Sequence, residues 1–255
     1  MRIKKRYNIP EILTKLAQLG VFTVKDAVEA TGLKEIEVKS FILRWLIKQG
    51  FIEKIERGKY FVVPPKIDTT LSEYIIANML VKPSAVAYWS ALSFHEFTEQ
   101  IPQIIHVQTV SRKKKRELEI FGVKYKIIRV KPEKFFGFQY IWIESYFGRM
   151  KTCVTDKEKT IIDCLDKPKY CGGIAEVIKA LETRDYNVKK LSEYAVRIGN
   201  SAVIRRLGYL CDCLDIEVEL PSIKTRNYIL LDPTLPKQGR VVSKWRIIDN
   251  VGVLE

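Results

Sequence analysis

The sequence predicts an α+β protein in two parts: a winged helix-turn-helix over residues 1–66 and a larger mixed α/β domain over residues 67–255. Three observations carry this expectation. Three helical patterns are followed at once by a short hairpin pattern. Positive charge is concentrated in the same stretch, where 14 Lys and Arg face 7 Asp and Glu. Pro64-Pro65 then breaks the chain, and helix and strand patterns mix beyond it.

The first helix has Asn8 as its cap, Pro10 in its first turn and Gly20 past its end. Ile12, Leu13, Leu16 and Leu19 recur at helical spacing. Thr23-Val24-Lys25-Asp26 resembles a capping box, with Asp in place of the usual Glu, and opens a short second helix over about 24–30. Thr31-Gly32-Leu33 makes the turn, since Gly is free to take positive φ. A long third helix then runs over about 34–49 and stops at Gly50. Its Val38, Phe41, Ile42, Trp45 and Leu46 form one stripe that is expected to face the core. Glu37, Ser40 and Arg44 take the opposite side, with Lys34, Lys39 and Lys48 beside them. Residues 51–63 read as a hairpin with Arg57-Gly58 at its turn. Two strands alone are marginal in water, so the hairpin must lean on the three helices, as a wing does.

That order of elements assigns a partner, double-stranded DNA. The third helix enters the major groove, with Lys34, Glu37, Lys39, Ser40, Arg44 and Lys48 toward base edges or flanking phosphates. Glu37 suits the cytosine amino group, and Ser40 accepts either base. Arg57 and Lys59 reach phosphate or minor groove from the wing. Winged helices also dock proteins, which is the competing reading. The leading cluster Arg2, Lys4, Lys5 and Arg6 is either a further phosphate contact or a solvated terminus.

In the second part, helical patterning resumes over about 71–80, and Pro83-Ser84 opens another helix through Ala85, Ala87 and Leu92. Residues 104–110 and 123–130 are strand-like. Between them lies Arg112-Lys113-Lys114-Lys115-Arg116, either a grip on nucleic acid or an acidic protein, or a solvated hairpin loop. Thr155 is the candidate cap of a helix to Leu165, with Glu158 three residues on. Further helices are expected over 174–181 and over 188–213, the last broken at Gly199-Asn200. Two strands close the chain, over 228–231 and 241–248.

The 255 residues carry a formal charge of +14, which favours polyanionic partners unless the protein is merely lysine-rich. Five cysteines without regular spacing argue against a disulfide framework or a zinc site. The start lacks an apolar signal segment and no apolar run is long enough for a membrane span, so a soluble, cytoplasmic protein is expected. No phosphate-cradling glycine loop and no nucleophile elbow occurs. Asp156-Lys157-Glu158-Lys159 has nuclease-like composition, but a helix cap accounts for it. Asp212, Asp215 and Glu217 near Cys211 and Cys213 read as a polar helix end rather than a metal site. His95 and Glu96 are neighbours on a helix, about 100° apart, so they do not face each other. No catalytic residue, cofactor or metal ligand is assigned. The alternative is a nuclease or nucleotidyltransferase delivered to nucleic acid by the winged helix.

The chain also resembles a family. Glu56-Arg57-Gly58-Lys59-Tyr60, Tyr88-Trp89-Ser90-Ala91-Leu92, Thr98-Glu99-Gln100-Ile101-Pro102 and Phe121-Gly122-Val123-Lys124-Tyr125 are similar to stretches of the AbiEi-type antitoxins. So are residues 154–160, Cys171-Gly172-Gly173, Leu231-Asp232-Pro233 and Trp245-Arg246, in the same order. The resemblance implies a repressor of its own type IV toxin–antitoxin operon, in antiviral defence, that binds an operator of inverted repeats as a monomer or weak dimer. It implies a C-terminal antitoxin domain, in some relatives of nucleotidyltransferase-like topology without an active site, that counteracts a nucleotidyltransferase-like toxin. This sequence lacks the Gly-Ser and Asp-x-Asp pattern of an active nucleotidyltransferase.

Overall fold

A computed structural model describes residues 7–63, 73–145 and 148–253. The basic cluster at Arg2–Arg6, Pro64-Pro65 and the start of the helix expected from Leu71 lie outside them. The fold is mixed α/β with helices and, among the described residues, three sheets, and the chain divides into two units. One comprises residues 1–79 with 142–151, the other residues 80–141 with 152–255.

In the first unit, α1 (Ile9–Ala17) is capped by the Asn8 side chain. A short strand β1 (Val21–Thr23), which the sequence pattern did not announce, leads into α2 (Val24–Thr31). The Thr23/Asp26 capping box forms: the Thr23 N–H donates to Asp26 at 2.8 Å and the Asp26 N–H to Thr23 at 3.2 Å. Gly32 ends α2 at φ +68°, a left-handed position where a side chain is strained. The third helical element, α3, runs through Glu35–Glu37 as α-helix, Val38–Ile42 as π-helix and Leu43–Lys48 as α-helix. The hairpin of β2 (Ile52–Glu56) and β3 (Lys59–Val62) follows, with Arg57-Gly58 as its turn and β1 paired antiparallel to β3. This N-terminal region is compatible with a helix-turn-helix.

The π segment corrects the expected apolar stripe. Val38, Ile42 and Leu46 are buried as expected, but Leu43 is buried with them, whereas Phe41 is 62% and Trp45 41% exposed. An i→i+5 turn rotates the chain less per residue than an α-turn. Residues after it therefore lag behind the 3.6-residue period. Phe41 and Trp45 swing outward and Leu43 swings in. The core is completed by Ile12, Leu16, Phe22, Ala27, Ile52 and Val62.

The second unit is entered through α4 (Glu73–Leu80), whose last residue belongs to it. Ser84–Val86 is a strand, β4, not the start of a helix, and only Trp89–Phe94 is helical, as α5. All three residues of β4 are buried, since it lies inside a six-stranded sheet ordered β6-β7-β5-β4-β9-β8. A short apolar strand covered on both faces shows no alternation to read. The other strands are β5 (Ile104–Thr109), β6 (Glu117–Ile120), β7 (Val123–Arg129), β8 (Phe138–Ser145) and β9 (Gly148–Thr155), of which residues 142–145 and 148–151 are counted with the first unit. β5 and β7 are parallel. The basic run Arg112–Arg116 is therefore no hairpin loop between them. It joins β5 to β6, and β6 makes the hairpin with β7.

Four helices follow: α6 (Lys157–Asp166), α7 (Ile174–Glu182), α8 (Val188–Arg197) and α9 (Ser201–Cys213). α6 packs against α5, α7, α8 and α9. Its cap is Asp156, which accepts from the Lys159 N–H at 2.8 Å; Thr155, the expected cap, ends β9 and turns its hydroxyl to Thr160 at 2.7 Å. The closing stretch 241–248 is not one strand. β11 (Arg240–Val242) and β12 (Ile247–Asp249) form an antiparallel pair, with β10 (Ile229–Leu230) parallel to β12.

Candidate nucleic-acid interface

The candidate surface comprises the solvent side of α3 and the β2–β3 turn. Lys34, Arg44, Lys48 and Arg57 are exposed there, without an ion-pair partner among the described residues. Lys54 on β2 is exposed as well and joins them. Large apolar groups stand among these cations: Ile36, Phe41, Trp45, Ile47 and Phe51 are all exposed. Phe41 lies beside Tyr7, ring centroids 6.3 Å apart, and Trp45 stacks on Phe51 at 6.0 Å.

The remaining candidates are already engaged. Glu37 accepts the Lys34 backbone N–H at 3.1 Å and faces the Tyr7 hydroxyl at 3.5 Å, so its carboxylate closes the start of α3. Lys39 pairs with Glu35 one turn back. Ser40 is half-buried. Lys59 is half-buried, pairs with Glu56 at 3.3 Å and donates to the Met79 carbonyl at 3.2 Å. Lys34, Arg44, Lys48 and Arg57 are thus exposed charges without ion-pair partners among the described residues, while Glu37 and Lys59 are engaged within the fold and Lys39 pairs with Glu35 at the surface. The exposure of Phe41 and Trp45 was not visible in the sequence, because a 3.6-residue period places both inward.

In the second unit, the polar groups that drew attention in the sequence are structural. His95 donates from Nε2 to the Thr155 carbonyl at 2.7 Å, and burial lowers its pKa. Asp156 and Lys190 pair at 3.1 Å, and Glu158 and Lys190 at 2.8 Å. Glu158 also accepts the Asn187 N–H at 2.7 Å, tying α6 to α8. Burial works to raise the Glu158 pKa, and the Asn187 and Lys190 bonds outweigh it and lower it. Asp212 accepts the Trp245 indole N–H at 2.6 Å and pairs with Lys244 at 2.6 Å. Lys159 and Asp163 are fully buried and paired, with Gln108 donating to Asp163 at 3.0 Å and facing the Tyr88 hydroxyl at 3.3 Å. Burial raises the Asp163 carboxyl against the opposing pull of Lys159. Buried polar groups need such partners.

Distant motifs also meet. Asp232 accepts the Ile174 N–H at 2.7 Å and so caps α7, where Gly173 offers no side chain. A Cβ on Gly173 would stand 2.6 Å from that carboxylate, and one on Gly208 would run into the Trp245 ring at 2.1 Å. The motifs of the second unit build its scaffold.

No curated protein matches the sequence. Among solved structures the chain is similar to the crystal structure of RV2827C protein from Mycobacterium tuberculosis, with a TM-score of 0.65 at 13% identity over 99% of this chain and 95% of that one. At that identity the likeness establishes the fold alone. Over residues 11–63, which hold α3 and the β2–β3 hairpin, the chain matches the model of the AbiEi_4 family, described as a transcriptional regulator and AbiEi antitoxin.

Proposed function

We propose that this protein is a DNA-binding transcriptional repressor that also acts as an antitoxin. Residues 1–66 form a winged helix-turn-helix in this reading, with α3 in the major groove and the β2–β3 hairpin as the wing. Arg44 reaches base edges or flanking phosphates, Lys34 and Lys48 flank it, and Arg57 meets the backbone from the hairpin turn. The observation that carries the reading is the set of four exposed cations, free of acidic partners among the described residues, on α3 and the hairpin turn of the segment that matches the regulator family. Such a surface gains by releasing counterions from duplex DNA.

Residues 67–255 supply the antitoxin function, against a nucleotidyltransferase-like toxin, as the family resemblance implies. The protein is not an enzyme in this reading: the Asp156 and Glu158 carboxylates are spent on a cap, on Asn187 and on Lys190. The site of action is the protein's own operator in the cytoplasm, where inverted repeats accommodate two copies.

The test is footprinting and titration of the DNA upstream of the protein's own start codon. A protected segment, with affinity falling steeply as salt rises, is the expected result. Absence of binding at low salt would overturn the reading.

A further inference from the structure

We propose that the N-terminal half of α3 reads thymine through its C5-methyl group, with Ile36 and Phe41 as specificity-determining contacts. The inference rests on the DNA-binding role proposed above and names what that surface recognises.

Helix-turn-helix recognition helices touch base edges mainly with their N-terminal residues. In α3 several polar side chains of that half already have partners within the helix. Glu37 closes the helix start on the Lys34 N–H, Lys39 is paired with Glu35, and Ser40 is half-buried. Beside the exposed Lys34, Glu35 and Lys39, the same half presents two large apolar groups to solvent: Ile36 is 68% and Phe41 62% exposed. In the major groove, thymine alone carries a methyl group, and apolar side chains are its usual contact.

Single exposed hydrophobic residues need no explanation. Here five large ones, Ile36, Phe41, Trp45, Ile47 and Phe51, fall within sixteen residues, with cations between them. The cations select the occupant. A second copy laid face to face would oppose Lys34, Arg44, Lys48 and Arg57 with the same charges. A duplex answers both features, with phosphates for the cations and base methyls for the apolar groups. Phe41 lies beside Tyr7, with ring centroids 6.3 Å apart. Trp45, in the C-terminal half, stacks on Phe51, which lies beyond the helix, so the first contacts fall to Ile36 and Phe41.

The test uses the full chain and one duplex, the region upstream of its own start codon, made once with thymine and once with uracil. Uracil keeps the pairing and removes only the methyl groups. Fluorescence anisotropy is expected to show weaker binding to the uracil duplex, by roughly fourfold for each contacted methyl. Ile36→Ala and Phe41→Ala are each expected to shrink that ratio. Arg44→Ala is expected to weaken both duplexes and preserve it. Equal wild-type affinity for the two duplexes would overturn the thymine reading and leave the DNA reading standing. Failure to bind either at low salt would overturn both. A ratio unchanged in both apolar variants would assign the discrimination to duplex shape and overturn the role of Ile36 and Phe41.

Discussion

Helices α3 and α6 carry similar charged sequences toward opposite ends. In α3, Lys34, Arg44 and Lys48 project into water, and even Phe41 and Trp45 are exposed. In α6, Glu158, Lys159, Thr160 and Asp163 are all buried. By spacing alone, Lys159 and Asp163 look like an ordinary i,i+4 surface pair. Their burial changes what they do, because each charge now depends on the other and on Gln108. Charge on a helix therefore says little until its partners are known. Exposed charges without partners are available for binding, whereas buried charges with partners fix a fold.

The sharpest way to break this contrast is to remove one member of the buried pair. Asp163→Ala leaves the Lys159 ammonium in a dry site and is expected to cost about 3–5 kcal/mol. Arg44→Ala, on the open face of α3, is expected to stay within about 0.5 kcal/mol of wild type. Urea denaturation of both variants decides the matter. Equal losses would mean that the two helices do not differ as described.

Acidity offers a second lever on the second unit. His106 on β5 lies against the Tyr88 and Tyr170 rings, 6% exposed. Burial, and secondarily the Lys126 charge, push its imidazole down to about 4. The folded value lies below the ordinary value of about 6.5, so the unfolded chain takes up the proton first. The stability this contributes is complete above pH 6.5 and is lost as pH falls toward 4. The loss over that window is about 3 kcal/mol, at 1.36 kcal/mol per unit. His106→Phe is expected to flatten it, measured as the urea midpoint against pH. An unchanged slope in the variant would place the sensitivity elsewhere.

Binding separates the cations of the first unit from one another. Arg57→Ala is expected to weaken binding to DNA of any sequence and to reduce the salt slope by about one. Lys59→Ala, two residues on, is expected to leave the slope nearly unchanged, because Lys59 holds Glu56 and the Met79 carbonyl. If Lys59 changed the slope as Arg57 does, its ion pair would open on DNA.

Much of the first unit was legible because its signals are local. Asn8, the Thr23/Asp26 box, Gly32 and the Arg57-Gly58 turn each act within four residues, and each does what its chemistry requires. β1 was missed because three residues have no period to detect. In the second unit, β4 was misread for lack of alternation. The α6 cap was displaced by one residue because Thr155 and Asp156 are both good caps, and only the Thr160 contact shows which one is used. The parallel pairing of β5 and β7, the burial of Lys159, and the meeting of Asp232 with α7 depend on residues far apart in sequence. The face of α3 was misplaced for a different reason, since a π-turn has no sequence signature in this stretch.

That last point yields the smallest expected effect and a demanding comparison. A regular α-helix over 34–49 buries Phe41, and Phe41→Ala would then cost about 3–5 kcal/mol as a large-to-small core change. With the π segment at Val38–Ile42 the ring stands in water beside Tyr7, and Leu43 takes the core position. Phe41→Ala is then expected to change stability by less than about 0.5 kcal/mol. Leu43→Ala is expected to cost about 2–5 kcal/mol. Thermal and urea unfolding of the two variants side by side distinguish the geometries without reference to DNA. A large loss at Phe41 with a small one at Leu43 would restore the regular period and turn the aromatic ring inward. The thymine contact would then be lost with it, while Lys34, Arg44 and Lys48 would still await a test on DNA.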